Sequence, residues 1–135
     1  METKEEISKS IIKKGAPYFE LKDLELFINE INEKYDYPIS SYKTLLQEEN
    51  SVQLECSFLT KKAIFDFVLK KKSIECHIFF LKNIKIIKEE INPNNKTLSI
   101  YNGETVILIN KAYNEVDKKL LGDYVNSIVL EINKL

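Results

Sequence analysis

The chain has 135 residues, of which 44% are apolar and 30% are charged. This length supports one packed core and is short for two ordinary domains. Its 20 basic residues, all of them lysine, stand against 21 acidic ones, and the formal net charge of -1 argues against a nucleic-acid-binding protein. With 3 Gly, 3 Pro and 18 Ile, the composition is that of a folded chain and excludes a disordered one.

Helical periodicity marks the first third of the chain. Thr3 and Glu6 form a capping-box pattern, and Gly15 with Pro17 is expected to end the first helix. A second helix follows, with Asp23 as its predicted N-cap. The apolar positions that give this second helix its period are Leu24, Phe27, Ile28, Ile31 and Tyr35. Residues 39–50 fit either a helical turn or an irregular approach to the next element, and their structure is left unassigned.

From Val52 onward, apolar residues alternate with polar ones, the two-residue period of a β-sheet with two different faces. The connections between these runs are too short for parallel crossovers, so the strands are expected to form antiparallel hairpins. A bulge is expected in the fourth strand, where the alternation slips, and Asn102-Gly103 is predicted to form a type I′ turn. The predicted strands cover residues 52–58, 63–69, 74–80, 84–87, 97–101 and 105–109.

The last segment is predicted to be an amphipathic helix that begins at Asn114 and Asp117 and needs a sheet to cover. Its apolar stripe consists of Val116, Leu120, Leu121, Tyr124, Val125, Ile128, Ile132 and Leu135. The predicted fold class is therefore α+β: an antiparallel β meander of six or seven strands, with a C-terminal amphipathic helix and extra N-terminal helices. The seventh strand is left open within residues 38–50.

This order of elements resembles the pleckstrin-homology-like domains, in particular their bacterial and GRAM-type branches. The segment Phe58-Leu59-Thr60-Lys61-Lys62-Ala63-Ile64-Phe65 is similar to a strand-turn-strand segment of that family, and the later hairpin and helix follow in the family's order. The resemblance covers about residues 50–134. It implies a sandwich or barrel over residues 51–135. The N-terminal helical segment of residues 1–50 lies outside the resemblance and is expected to pack on the sheet, so that the two parts form one structural unit. It also implies a non-catalytic module that recognises a protein partner or an anionic lipid headgroup.

Lipid-binding members of that family use basic residues at the open end of the early hairpins. Lys61, Lys62 and Lys82 are expected at one end of the antiparallel sheet, where they form a candidate anion-binding cluster. Residues 70–72 are also lysines, but they lie at the other end, about 20 Å away at roughly 3.3 Å per residue. Lysines at hairpin turns also guard strand edges against aggregation, and that interpretation is the favoured one.

A second candidate surface is the outward face of the predicted sheet, which should be polar if it were exposed to solvent. It carries Leu59, Ile64, Val68, Phe79 and Leu81. Exposing several such side chains would forgo several kcal/mol at about 25 cal/mol per Å², so this face needs a cover. The second helix is the favoured cover, and a second subunit or a protein partner is the alternative. The chain is accordingly expected to be a monomer or a homodimer.

Catalysis, cofactors and metals find no support in the sequence pattern. His77 follows Cys76, but neighbours in a strand point to opposite faces, so they do not form a nucleophile and base pair. The spacings of metal sites are absent, and isolated glycines do not make a phosphate loop. Cys56 and Cys76 lie in apolar stretches, which predicts two reduced thiols in a core. We expect a protein that is not an enzyme.

The cellular compartment is predicted to be the cytoplasm. The sequence begins Met1-Glu2-Thr3-Lys4-Glu5-Glu6, where a secretory signal would carry a basic head and an apolar run. The alternative function is a small acidic chaperone-like dimer that holds a client protein on an apolar surface. Against it, such folds place a long helix after the third strand, and residues 82–96 are too short and polar to supply one.

Overall fold

The computed structural model describes residues 2–35 and 37–135, with the backbone but not the side chain of residue 48. Across these residues the chain forms three α-helices and seven antiparallel β-strands, which confirms the α+β class and the meander with a C-terminal helix. The elements are α1 (Lys4–Gly15), α2 (Leu21–Lys34), β1 (Ser40–Glu48), β2 (Ser51–Leu59), β3 (Ala63–Leu69), β4 (Ile74–Phe80), β5 (Ile86–Ile91), β6 (Lys96–Asn102), β7 (Thr105–Ala112) and α3 (Glu115–Asn133).

The strands form two sheets, each in sequence order: β1-β2-β3-β4 and β5-β6-β7. Within the described residues neither sheet closes into a barrel, because each ends in strands with a single neighbour. The seventh strand is β1, in the stretch left unassigned by the sequence. It pairs with β2 from Ser40↔Leu59 onward, and a short turn at Glu49 and Asn50 joins the two.

The chain groups into two compact units, one made of the described residues of Met1–Thr60 with Phe65–His77 and the other of Lys61–Ile64 with Ile78–Leu135. In the first unit, α1 and α2 pack on one face of β2 and β3. The core that they share contains Ile7, Ile11, Leu24, Phe27, Ile28, Ile31, Tyr35, Leu54, Cys56, Phe58, Phe67 and Leu69. The Tyr35 and Phe58 rings stack at 4.9 Å, and Phe67 meets Phe58 edge-on at 5.9 Å.

The two N-terminal helices begin by different means. The Thr3 side chain accepts a hydrogen bond from the Glu6 N–H at 3.1 Å, which confirms the predicted cap of α1. The prediction that Asp23 caps α2 is wrong, because that helix begins at Leu21 and the Asp23 N–H already donates to the Glu20 carbonyl at 3.0 Å. The Asp23 carboxylate instead lies in the first turn, where the helix dipole favours a negative charge.

Gly15 serves a packing role at the end of α1. A Cβ placed there would lie 2.5 Å from Leu24 Cδ2 and 3.3 Å from Leu54 Cδ2, so a larger residue would require the buried Leu24 side chain to move. Its φ is not positive, and the helix closes through Ala16, whose N–H donates to the Ile12 carbonyl at 2.8 Å. The small residue therefore serves the contact between the two helices and the sheet.

In the second unit, α3 packs against β6 and β7. The Asn114 side chain accepts from the Asp117 N–H at 2.8 Å, as the sequence predicted for the start of this helix. Leu121, Tyr124, Val125 and Ile128 are buried, so the central part of the predicted stripe is confirmed. The ends of that stripe are not part of the core, since Val116, Leu120 and Leu135 are exposed. No helix in the described ranges has the length and apolarity needed to cross a membrane.

The hairpin between β6 and β7 differs from the prediction in its turn. Asn102 pairs with Thr105, so the central residues are Gly103 and Glu104, and only Gly103 has a positive φ, of 67°. A positive φ at the first central residue alone is the type II′ pattern, not type I′. The bulge predicted within residues 84–87, the fourth predicted strand, is also misplaced. The register shifts instead in the pairing of β6 with β7, between Ile100 and Tyr101.

Candidate functional site

The structure places the predicted lysine cluster in two neighbouring turns. Lys61 and Lys62 lie in the turn between β2 and β3, and Lys82 lies in a short 3-10 helix that follows β4. The Leu81 N–H donates to the Lys62 carbonyl at 2.9 Å, which joins the two turns. All three side chains are exposed, and none forms an ion pair with another described residue. The geometry thus gathers three uncompensated positive charges in a small region.

The apolar face predicted as an interface is largely inside the folded chain. Leu59 and Ile64 have no exposed surface, Val68 and Leu81 are buried, and Phe79 is half-buried. The prediction that α2 covers this face is wrong. The apolar residues of α2 share a core with Leu54, Cys56, Phe58, Phe67 and Leu69, which the strand alternation places on the opposite face.

The outer face of the β5–β7 sheet carries an exposed apolar surface that the sequence reasoning missed. The register aligns Ile86 with Tyr101 and Tyr101 with Val106 across the three strands, and Ile109 lies beside this row opposite Ser99. Three of these side chains are exposed: Ile86 by 54%, Val106 by 41% and Ile109 by 47%. We call Ile86, Tyr101, Val106 and Ile109 the outer surface.

The opposite face of the same sheet shows why the outer surface is unusual. Leu98, Ile100 and Leu108 are buried, and α3 packs on β6 and β7 from that side, with Gly122 next to the Lys96 ammonium. A sheet with one packed face normally presents polar residues on the other. Here the far row, Glu90, Thr97 and Lys111, is polar, and the middle row places Lys88 and Ser99 beside Ile109. The polar pattern fails at Ile109 and at the row of Ile86, Tyr101 and Val106. The sequence could have revealed this surface only through the register of the β6–β7 hairpin, which decides which residues share a face.

A groove of about 680 Å³ lies beside the outer surface. Ile86 and Tyr101 line it together with the hairpin turn at Gly103 and Glu104. Ile87, Lys88 and Glu89 line it as well, so its apolar walls carry two acidic residues and one basic residue. A groove of this kind next to an exposed apolar row can receive a side chain from another protein.

A buried pair of acids lies in the β1–β4 sheet. Glu55 and Asp66 are 6% and 3% exposed, and their carboxyl groups are hydrogen-bonded to each other. Burial, followed by the Glu55 charge and the hydrogen bond, raises the pKa of Asp66 far above its ordinary value. The other Asp66 oxygen, Oδ1, has no hydrogen-bond partner among the described residues. At neutral pH this pair therefore holds a proton that neither residue would hold alone in water.

The two cysteines have different surroundings. Cys56 is buried as predicted, and burial strongly raises the pKa of its thiol. The prediction that Cys76 also lies in a core is wrong, because its side chain is exposed. The reason is that β4 is an edge strand of its sheet, and the face that carries Cys76 is exposed there. Ile78 and Phe80, on the same face, are 44% and 51% exposed.

Among the described residues, no group of three or more His, Cys, Asp or Glu side chains is arranged to hold a metal ion. The buried acid pair does not line the groove beside the outer surface. Comparison of the chain with known protein families, curated proteins and solved structures found no match.

Proposed function

We propose that this chain is a non-catalytic interaction module of pleckstrin-homology-like type that binds a protein partner on its outer surface. Two antiparallel meanders followed by a C-terminal helix support the resemblance to that family. The observation that carries the function is the apolar row of Ile86, Tyr101 and Val106, exposed at its two ends and half-buried at Tyr101, on a sheet whose other face is already packed. Contiguous exposed apolar residues of this kind mark protein-binding surfaces.

The chemistry of the outer surface favours a protein over a small molecule. Tyrosine is enriched at protein interfaces because it offers a large contact area with a polar end. Branched aliphatic side chains flank Tyr101 on both neighbouring strands. They are bordered by Lys88 and Ser99 and then by the polar row of Glu90, Thr97 and Lys111. An apolar centre with a polar rim is the usual anatomy of such an interface.

A site-specific photocrosslinker at Tyr101 tests this proposal in cells that naturally produce the chain. We expect a discrete protein adduct whose yield falls about tenfold when Ile109→Glu is added, because a new charge within an apolar interface costs more than 1 kcal/mol of binding. A crosslinker at exposed Lys119 on α3 is the matched control. Failure to detect an adduct at Tyr101, or an adduct that persists unchanged with Ile109→Glu, would contradict the proposal.

A second candidate ligand is an anionic lipid headgroup at Lys61, Lys62 and Lys82. The hydrogen bond from Leu81 to Lys62 and the lack of ion pairs at these lysines within the described chain support it. Each lysine near an anionic membrane contributes about 1 kcal/mol of attraction. Co-sedimentation with phosphatidylserine vesicles tests this candidate, with the native chain compared with Lys62→Glu and with the control Lys119→Glu. Binding to vesicles that is lost in Lys62→Glu but kept in Lys119→Glu would favour the lipid headgroup over the protein partner.

A further inference from the structure

The strand β5 is an open edge of its sheet, because its only neighbour among the described residues is β6. Five of its six residues are exposed, and Ile91 is 70% exposed at its end. An edge strand presents unpaired backbone groups that another strand can bind. Charged residues at an edge usually discourage such pairing, so the order of the charges along β5 decides which strand it can accept.

The charges of β5 are complementary to those of a second, antiparallel β5. Lys88 and Glu90 point to the outer face, while Ile87, Glu89 and Ile91 point to the inner face, according to the register with β6. A two-fold axis through Glu89 places Lys88 opposite the second copy's Glu90 and Ile87 opposite its Ile91. Opposite charges and aliphatic pairs at directly facing positions both stabilise a sheet. An axis through Lys88 would instead oppose two lysines.

The axis through Glu89 brings together two glutamates, and the fold already compensates them. Lys96 Nζ lies 3.1 Å from Glu89 Oε2 within the same chain, and the Lys96 side chain is largely buried beside Gly122. Each copy therefore brings a Glu89 that is neutralised by its own neighbouring strand. The aliphatic pairs would also remove the strongly exposed Ile91 from water.

From this self-complementarity we infer that β5 pairs with the β5 of a second copy of this chain, in antiparallel register about Glu89, and makes one continuous six-stranded sheet from two β5–β7 sheets. The interface is small compared with a standard protein interface, so the dimer is expected to depend on concentration. Ile86, at the start of β5, lies outside the five paired residues, and the rest of the outer surface lies on β6 and β7. The pairing would share Ile87, Lys88 and Glu89 with the groove beside the outer surface, but the inference is argued from the strand edge and does not rest on the proposed partner.

Sedimentation velocity over a range of protein concentrations tests this pairing by charge reversal. We expect the native chain to dimerise, and Lys88→Glu or Glu90→Lys to weaken the dimer about tenfold each, because either change replaces two attractive cross-strand pairs with two repulsive ones. The double variant Lys88→Glu with Glu90→Lys restores opposite charges at both positions, and its dissociation constant should return to the native value.

Two control variants change the same charges elsewhere on the surface. Glu104→Lys lies in the β6–β7 turn and Lys119→Glu lies on α3, and both should leave the dimer unchanged. Circular dichroism of every variant checks that the exposed substitutions preserve the fold. A native chain that stays monomeric throughout the concentration range would overturn the inference. A double variant as weak as the single ones would overturn it too, since the register about Glu89 requires recovery.

Discussion

Asp66→Asn is expected to stabilise the protein at neutral and alkaline pH and to remove much of the pH dependence of its stability. Burial and the neighbouring Glu55 raise the pKa of Asp66 far above its ordinary value of 3.8. An asparagine has nearly the same shape, and its amide N–H can donate to the Glu55 carboxylate as the protonated Asp66 does. The variant therefore keeps the hydrogen bond without needing the proton.

The sign of this effect follows from proton linkage. Above pH 3.8 the unfolded chain releases the Asp66 proton, while the folded chain still holds it. The contribution of Asp66 is therefore fully present below that pH and is lost as the pH rises toward the raised folded value. One proton difference gives a slope of about 1.4 kcal/mol per pH unit in the free energy of unfolding.

Urea unfolding followed by circular dichroism across the pH range measures this slope. The native chain should lose stability from mildly acidic to neutral pH, and Asp66→Asn should lose much less over the same range. Asp123→Asn, at an exposed position on α3, is the control and should follow the native curve. Parallel curves for the native chain and Asp66→Asn would show that Asp66 is ionised in the fold.

Phe58→Ala is expected to be the most destabilising simple truncation in the first unit. The Phe58 ring has no exposed surface, stacks on Tyr35 at 4.9 Å and meets Phe67 at 5.9 Å. Removing a buried phenylalanine ring costs about 3–5 kcal/mol, because both the transfer energy and the packing around the cavity are lost. This is a large part of the stability of a small domain.

Chemical denaturation monitored by circular dichroism gives the corresponding measurement. Phe80→Ala removes the same ring from a residue that is 51% exposed, and its cost should stay within about 0.5 kcal/mol. Similar losses for the two variants would contradict the placement of Phe58 between the helices and the sheet. The comparison also separates the two phenylalanines that the sequence pattern alone treats alike.

The sequence predicted local structure well where one period dominated. The capping residues Thr3 and Asn114 start helices as expected, and β3 and β4 have the predicted bounds. The strand β1 was missed because Tyr42, Leu45 and Leu46 are spaced like one helical turn. Pairing with β2 decided the matter, and tertiary pairing of this kind overrides local spacing.

The faces of the sheet were harder to predict than its strands. Alternation divides the side chains into two sets but does not say what covers each set, so α2 was expected over the wrong one. Alternation also does not show which strand is at an edge, and for that reason Cys76 was expected in a core. The outer surface depends on the register of β5, β6 and β7, which fixes Ile86, Tyr101 and Val106 in one row.

Labelling of the native chain with a thiol reagent tests the central claim that α1 and α2 cover one face of β2 and β3. Cys56 lies in the shared core with no exposed surface, whereas Cys76 is exposed. The account predicts that one thiol reacts at mildly alkaline pH, that mass spectrometry maps it to Cys76, and that Cys56 reacts only after unfolding. Reaction of Cys56 as fast as Cys76 in the native chain would contradict it.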